Sequence, residues 1–235
     1  MQFIGLCGRI TKEMGNNHLP KIFLQKERNL KIAVFGATGG TGKEVLSQAL
    51  SKGHEISALV RDPYRLSQTT PEKVQIVVGD VLNSEVVIET IQDADAVIVT
   101  LGHRADSPEN TVSEGTRNII RAMEENNLKR LVVVTSLGVG DSKNQVPFAF
   151  KIILKTALRK VMADKENQEK AVKESSLDWV IVRPGGLTDD PARGEYTFGT
   201  EDSIMAGSIP RADLAEFVIK QVIEDQFIHK AVAVT

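Results

Sequence analysis

The chain has 235 residues, with 29 lysines and arginines against 31 aspartates and glutamates and a formal net charge of −2. This near balance is not typical of a nucleic-acid-binding protein, and no apolar run reaches the roughly 18 residues of a membrane span. A single cysteine, Cys7, excludes an internal disulfide and fits a reducing compartment, so we expect a cytoplasmic protein.

Residues 1–29 precede the first predicted strand and form an N-terminal extension. The segment lacks the ordered regions of a signal peptide, and Glu13 and Glu27 are unusual for a transit peptide. It can be disordered, packed on the surface or bound to a protein partner, and the sequence does not decide among these. Residues 30–235 are expected to form a single domain.

The stretch Lys31–Phe35 is a short apolar strand that runs directly into a glycine-rich turn. Gly36, Gly39 and Gly42 are spaced G-x-x-G-x-x-G, and apolar residues then recur at helical spacing. In a strand–turn–helix unit such glycines turn the chain, let a backbone approach a pyrophosphate, and let the helix pack closely. The pattern favours dinucleotide binding over a purely structural turn.

A nucleoside triphosphatase is excluded at this turn. A Walker A loop has four residues between its first glycine and Gly-Lys, followed by Ser or Thr. Here five residues separate Gly36 from Gly42-Lys43, and Glu44 follows.

The second predicted strand, His54–Val60, ends at Arg61-Asp62-Pro63. An acidic residue at this strand end binds the ribose hydroxyl of NAD, whereas an arginine can pair with the 2′-phosphate of NADP. Asp62 is interpreted as a helix cap before Pro63. Arg61 therefore favours NADPH over NADH, the alternative being an ordinary solvated loop charge.

The next two strands also end in residues suited to a ligand. Val74–Val78 is followed by Asp80, which can contact adenine or simply cap the next helix. A helix over Asn83–Gln92 follows, and then the apolar strand Ala94–Leu101, which stops at Gly102.

The second half of the domain continues the alternation of helices and strands. Its predicted elements, in order, are a helix over Thr111–Asn127, a strand over Arg130–Thr135, a loop over Leu137–Ala149, a long helix over Phe150–Ser175, a strand over Asp178–Val182, a helix over Arg211–Glu224 and a strand over Ala231–Val234. Residues 187–209 form an irregular insertion. The pattern predicts an α/β fold, a doubly wound parallel sheet of Rossmann type with helices on both faces and a small C-terminal substrate lobe at about 184–210. Ligands bind such sheets beyond the carboxyl ends of the strands.

These motifs resemble the atypical short-chain dehydrogenase/reductase superfamily. The resemblance rests on Gly36–Gly42, Leu59–Asp62, Gly79–Val81, Asp95–Val99 and Arg183–Gly186. Within the superfamily the chain is similar to the NAD(P)H-binding group of biliverdin-IXβ reductase/flavin reductase and the NmrA-like proteins, from Lys31 to the last strand.

The resemblance implies NADP(H) as cofactor, no metal, and a role for each matching position. Pyrophosphate contacts are implied for Gly36, Thr38, Gly39, Gly40, Thr41 and Gly42, and the 2′-phosphate contact for Arg61. Asp80 and Val81 would flank adenine, while Thr100, Leu101 and Gly102 would line the ribose next to nicotinamide. Thr135 and Ser136 would approach the reacting centre, and Pro184 and Gly185 would border the nicotinamide.

The chain departs from the family at its catalytic tyrosine. Classical members use Tyr-x-x-x-Lys after the fifth strand, and here the lysine falls on Lys165 but the tyrosine on Val161. Valine cannot donate a proton, so reduction of ordinary ketones by that mechanism is not expected. Ser136 and Lys165 remain as catalytic candidates, with Lys165 either steadying the cofactor ribose or being a solvated helix lysine.

The leading hypothesis is an NADPH-dependent reductase of a conjugated small-molecule acceptor, such as a flavin, quinone or bilin. Such acceptors can take a hydride while water supplies the proton. Two alternatives are a non-catalytic NmrA-like redox sensor that binds NADP and an assembly or scaffold protein.

Overall fold

The computed structural model describes residues 29–66, 73–104 and 106–235. Residues 1–28, most of the predicted N-terminal extension, lie outside the described residues. Among the described helices, none combines the length and apolar character needed to cross a bilayer.

The described residues form ten strands, and the first six of them are separated by helices or short helical turns. They are β1 (Lys31–Phe35), β2 (Glu55–Val60), β3 (Val74–Val78), β4 (Ala96–Val99), β5 (Arg130–Val134), β6 (Asp178–Pro184), β7 (Gly186–Thr188), β8 (Phe198–Gly199), β9 (Ser208–Pro210) and β10 (Lys230–Val234). Eight form one sheet in the order β3-β2-β1-β4-β5-β6-β10-β8, in which only β8 runs antiparallel to its neighbour. The predicted doubly wound parallel sheet is confirmed.

The described part of the chain also contains six α-helices, which lie on both faces of this sheet. They are α1 (Gly40–Ser51), α2 (Ser84–Ile91), α3 (Thr111–Glu125), α4 (Phe148–Lys155), α5 (Arg159–Glu174) and α6 (Arg211–Lys220). In β1, Ile32 and Val34 pack towards α1 and α6, whereas Ala33 and Phe35 pack towards α2, α3 and α5. Both sets are fully buried, which explains why the central strands are apolar throughout rather than alternating.

The prediction of one long helix over Phe150–Ser175 was wrong, because the chain breaks between α4 and α5. Thr156 leaves the helical conformation, and its hydroxyl donates to the carbonyl of Ile152 at 2.8 Å. Such a side-chain bond competes with the continuing backbone ladder. Beyond the break, Leu158 packs against buried Leu137 and Val146, a tertiary contact that helical periodicity does not encode.

The insertion after β6 is more ordered than the sequence indicated. β7 and β9 pair with each other in a separate two-stranded parallel sheet, and β8 adds to the main sheet beside β10. The loop between these strands is tied to α6, because the carboxylate of Asp213 accepts hydrogen bonds from the backbone N–H groups of Arg193 and Gly194 at 2.8 and 3.0 Å.

Candidate functional site

A cavity of about 710 Å³ opens at the carboxyl ends of the parallel strands. It lies where the strand order reverses, between β1 and β4, the place at which doubly wound sheets bind ligands. Its wall contains these predicted site residues: Gly36, Thr38, Gly39, Gly40, Thr41, Arg61, Asp80, Val81, Thr100, Leu101, Gly102, Thr135, Ser136, Lys165, Pro184 and Gly185. The structure thus brings together every predicted site residue except Gly42.

The glycine turn after β1 is a close-packed backbone cradle. Gly36 has a φ of +94°, and a Cβ there would stand 2.7 Å from the carbonyl oxygen of Thr100. Both the conformation and the space therefore require glycine. Gly39 precedes α1 as its N-cap without any side-chain cap, and Gly40 and Thr41, the first residues of the helix, line the cavity. The N–H groups of such a first turn have no partner within the helix and can bind an anion.

Gly42 lies behind this cradle rather than on the cavity wall. A Cβ at residue 42 would stand 2.1 Å from the carbonyl oxygen of Gly36. The structure therefore gives Gly42 the packing task of the motif, bringing α1 against the turn.

Replacing Gly42 with alanine is expected to destabilise the protein by at least about 1–3 kcal/mol, because backbone must move to admit the methyl group. Urea unfolding measures this loss. Gly102→Ala is the matched control, since a Cβ at residue 102 meets no atom within 4 Å. Equal stability of the two variants would contradict the packing role.

Arg61 faces the cavity at the end of β2, surrounded by polar partners. Its Nη1 donates to the Ser107 hydroxyl at 2.7 Å and lies 3.9 Å from an oxygen of Asp80, while Nη2 lies 3.6 Å from Asp106. Asp62 caps the following turn by accepting from the Tyr64 N–H at 3.0 Å, as predicted. Arg61, and not its acidic neighbour, is therefore the strand-end residue on the cavity wall.

Asp80 lines the cavity beside Arg61 and does not cap the next helix. Its carboxylate accepts the N–H of Leu82 at 2.9 Å in a local turn, whereas the N-cap of α2 is Asn83, which accepts the N–H of Glu85 at 2.9 Å. The end of β4 is held across the switch point, where the N–H of Thr100 donates to the Phe35 carbonyl at 2.8 Å.

The opposite end of the cavity is lined by Thr135 and Ser136 after β5, Pro184 and Gly185 after β6, and Lys165 from α5. The Ser136 hydroxyl donates to the carbonyl of Leu137 at 3.0 Å. Lys165 is half-buried, and burial lowers its pKa to about 8 against the opposing effect of Glu169 and Asp164.

Three buried side chains of α5 fix the position of Lys165. Asp164 accepts the backbone N–H groups of Val112 and Ser113, each at 3.0 Å, and so caps the start of α3. Gln168 donates to the Thr116 hydroxyl at 3.0 Å, one turn further along α5. This places Lys165 on a helix tied to α3 at consecutive turns, not on a free surface helix.

The third of these side chains, Glu169, forms a buried ion pair with Arg183. The Arg183 guanidinium donates to its two oxygens at 2.9 and 2.6 Å, and the Thr135 hydroxyl donates to one of them at 2.8 Å. Both charged side chains are about 95% buried or more, and Arg183 also pairs with exposed Asp141. The sequence analysis missed this pair, which underlies the cavity floor at Thr135.

Neither tyrosine of the chain reaches the cavity wall. Tyr64 is almost fully exposed, while Tyr196 donates to a carboxylate oxygen of Glu216 at 2.9 Å and contacts Phe217 edge-on. Burial and the neighbouring Glu216 raise the pKa of Tyr196 well above its usual range. Val161 is likewise absent from the wall. The described residues at this end of the cavity include no phenol.

Arg211, at the start of α6, is a further cavity residue that the sequence analysis missed. It lies against Gly40 and pairs through Nη1 with Asp189 at 2.6 Å. Its position directly after Pro210, at the start of a predicted helix, was visible in the sequence, but its approach to a glycine 171 positions earlier was not.

The family profile described as NAD(P)H-binding matches residues 36–225. The chain belongs to the NAD(P)H-binding family. A chloroplastic protein of Arabidopsis thaliana is 31% identical over 217 residues, which are 87% of this chain and 76% of the relative. The family match confirms the predicted resemblance to the atypical short-chain dehydrogenase/reductase proteins.

Solved structures of the family share the architecture. The anaerobillin reductase ChuY of Escherichia coli O157:H7 is 25% identical, with a TM-score of 0.76 over 87% of this chain and 96% of ChuY. A short-chain dehydrogenase/reductase of Veillonella parvula in complex with NADP has a TM-score of 0.76 over 88% of this chain and 94% of that one, and at 18% identity it shows the fold.

The residues of the cavity fit an NADP(H) cofactor. Gly36, Gly39 and Gly40 bring backbone rather than side chains to the cavity wall, where a pyrophosphate can approach closely, and the start of α1 supplies N–H donors. Arg61 supplies a guanidinium that matches a 2′-phosphate. NAD(P)H is the cofactor of the family, as predicted.

Proposed function

We propose that this protein is an NADPH-dependent reductase of a conjugated acceptor, such as a flavin, a quinone or a bilin. The observation that supports it best concerns one end of the cavity, here called the acceptor end, which is lined by Thr135, Ser136, Lys165, Pro184 and Gly185. Ser136 and Lys165 face the ligand space there, and the described residues at this end include no phenol. The likeness to an anaerobillin reductase supports a bilin among these acceptors.

The chain's own residues would bind and orient rather than act as a strong acid. Bound NADPH supplies a hydride to the acceptor. The glycine turn would hold the pyrophosphate and Arg61 the 2′-phosphate, while Pro184 and Gly185 would border the nicotinamide. Ser136 would orient the acceptor by a hydrogen bond, and the Lys165 ammonium would stabilise the negative charge that a conjugated acceptor gains.

A turnover assay with four acceptors tests the proposal. Purified protein and NADPH are mixed separately with FMN, a quinone, biliverdin and a simple ketone. We expect turnover of one or more conjugated acceptors and little of the ketone, because an alkoxide needs a proton donor that the site lacks. Turnover of the ketone alone would overturn the mechanism, and tight NADPH binding without any turnover would favour a redox sensor or a scaffold.

Three variants and a pH series separate the roles of Ser136 and Lys165. Ser136→Ala should slow turnover by about tenfold, or ~1.4 kcal/mol. Since Lys165 carries its proton below a pKa of about 8, turnover should fall above that pH. Lys165→Met should abolish this limb of the profile and Lys165→Arg should shift it upward. An unchanged profile in Lys165→Met would remove the lysine from the reaction.

A further inference from the structure

Arg211 places a positive charge directly on the glycine turn. Its Cδ and Nε lie 2.7 Å from the point where a Cβ on Gly40 would stand, and its Cζ lies 3.4 Å from that point. Gly40 therefore leaves space that the arginine side chain fills. Arg211 therefore brings its positive charge to the glycine turn as well as to the cavity wall.

The partner of this guanidinium is weakly held. Asp189 accepts from Nη1 of Arg211 at 2.6 Å, but its side chain is 88% exposed, whereas that of Arg211 is 26% exposed. An ion pair with so exposed a carboxylate contributes little, because water screens it. A more buried anion can therefore displace Asp189 from Arg211.

The backbone that carries Arg211 is fixed from both sides. Gln48 of α1 donates to the carbonyl of Ala212 at 2.8 Å, which ties the start of α6 to the helix that follows the glycine turn. The buried carboxylate of Asp213 holds the lobe loop at Arg193 and Gly194. The side chain of Arg211 thus spans from the turn to the lobe on an anchored backbone.

We propose that Arg211 binds the pyrophosphate of the cofactor and that Asp189 competes with the pyrophosphate for its guanidinium. A guanidinium offers five donors in a planar fork that matches phosphate oxygens. The role needs only a bound NADP(H), and it is independent of which acceptor is reduced.

Ligand titrations with the full chain test this role without measuring turnover. Arg211→Met should weaken NADPH by roughly tenfold or more, the scale of a lost charge-assisted contact. It should weaken 2′-phospho-ADP-ribose equally, because that ligand keeps the pyrophosphate and lacks the nicotinamide. Binding of 2′-AMP, which has no pyrophosphate, should not change.

The Asp189→Asn variant should change the affinity for NADPH in the opposite direction to Arg211→Met. Removing the competing carboxylate should tighten NADPH binding, while the fold is unaffected because Asp189 is exposed. Arg193→Met is the matched control, since Arg193 pairs with Asp190 in the same lobe and is not on the cavity wall. Unchanged NADPH affinity in Arg211→Met, or weaker NADPH binding in Asp189→Asn, would overturn the assignment. The Arg211–Asp189 ion pair would then have only a structural role.

Discussion

Replacing Arg61 with alanine is expected to weaken NADPH binding by about 1.5–3 kcal/mol, the contribution of a hydrogen bond to a charged group. Arg61 lines the cavity where NAD-binding enzymes place an acidic residue, and Asp80, Asp106 and Ser107 hold its guanidinium in place. Isothermal titration with NADPH measures the loss.

NADH is the internal control for this experiment. It lacks the 2′-phosphate, so its affinity should change little in Arg61→Ala. Equal losses for NADPH and NADH would show that Arg61 does not recognise the phosphate.

Replacing Arg183 with methionine should lower the free energy of unfolding by about 3–5 kcal/mol, because it leaves a buried carboxylate uncompensated. Glu169 would lose both donors of the two-armed guanidinium. Lys173 lies 3.5 Å from the same carboxylate, but it is partly solvated and does not replace a bidentate partner. Urea unfolding at neutral pH measures the change.

Two controls show whether the loss of stability comes from breaking a buried ion pair rather than from losing a charged residue as such. The double variant Glu169→Leu, Arg183→Met removes both charges and should recover most of the lost stability. Lys143→Ala breaks an ion pair with Glu166 that is exposed on both sides, so its effect should stay below about 1 kcal/mol. A loss in Arg183→Met no larger than in Lys143→Ala would contradict the buried-pair argument.

Much of the cofactor site could be predicted because its residues sit at strand ends. Gly36, Arg61, Asp80, Gly102 and Ser136 each directly follow or nearly follow an apolar run, and parallel strands bring their carboxyl ends to one edge. The local sequence therefore carries their placement. The assignments to phosphate, adenine and nicotinamide come from the family resemblance and remain predictions.

The contributions of helices to the site could not be predicted in the same way. Glu169 of α5 pairs with Arg183 of β6, and Arg211 contacts the turn at Gly40, which lies 171 residues earlier in the chain. Helical periodicity indicates which face is buried, but it does not say which residue lies opposite. The break at Thr156 was missed for the same reason, since Leu158 beyond it packs against the cluster of Leu137, Val146 and Ala233, which helical periodicity does not encode.

The packing of α6 on α1 has a consequence for how the site is made. The glycine turn leaves the ribosome early, yet the helix that covers α1 and carries Arg211 is synthesised about 170 residues later. Contacts of such sequence separation form slowly, because the intervening chain must be ordered first. The cofactor site is therefore completed only when the domain is nearly folded, and NADP(H) then stabilises the finished chain by mass action.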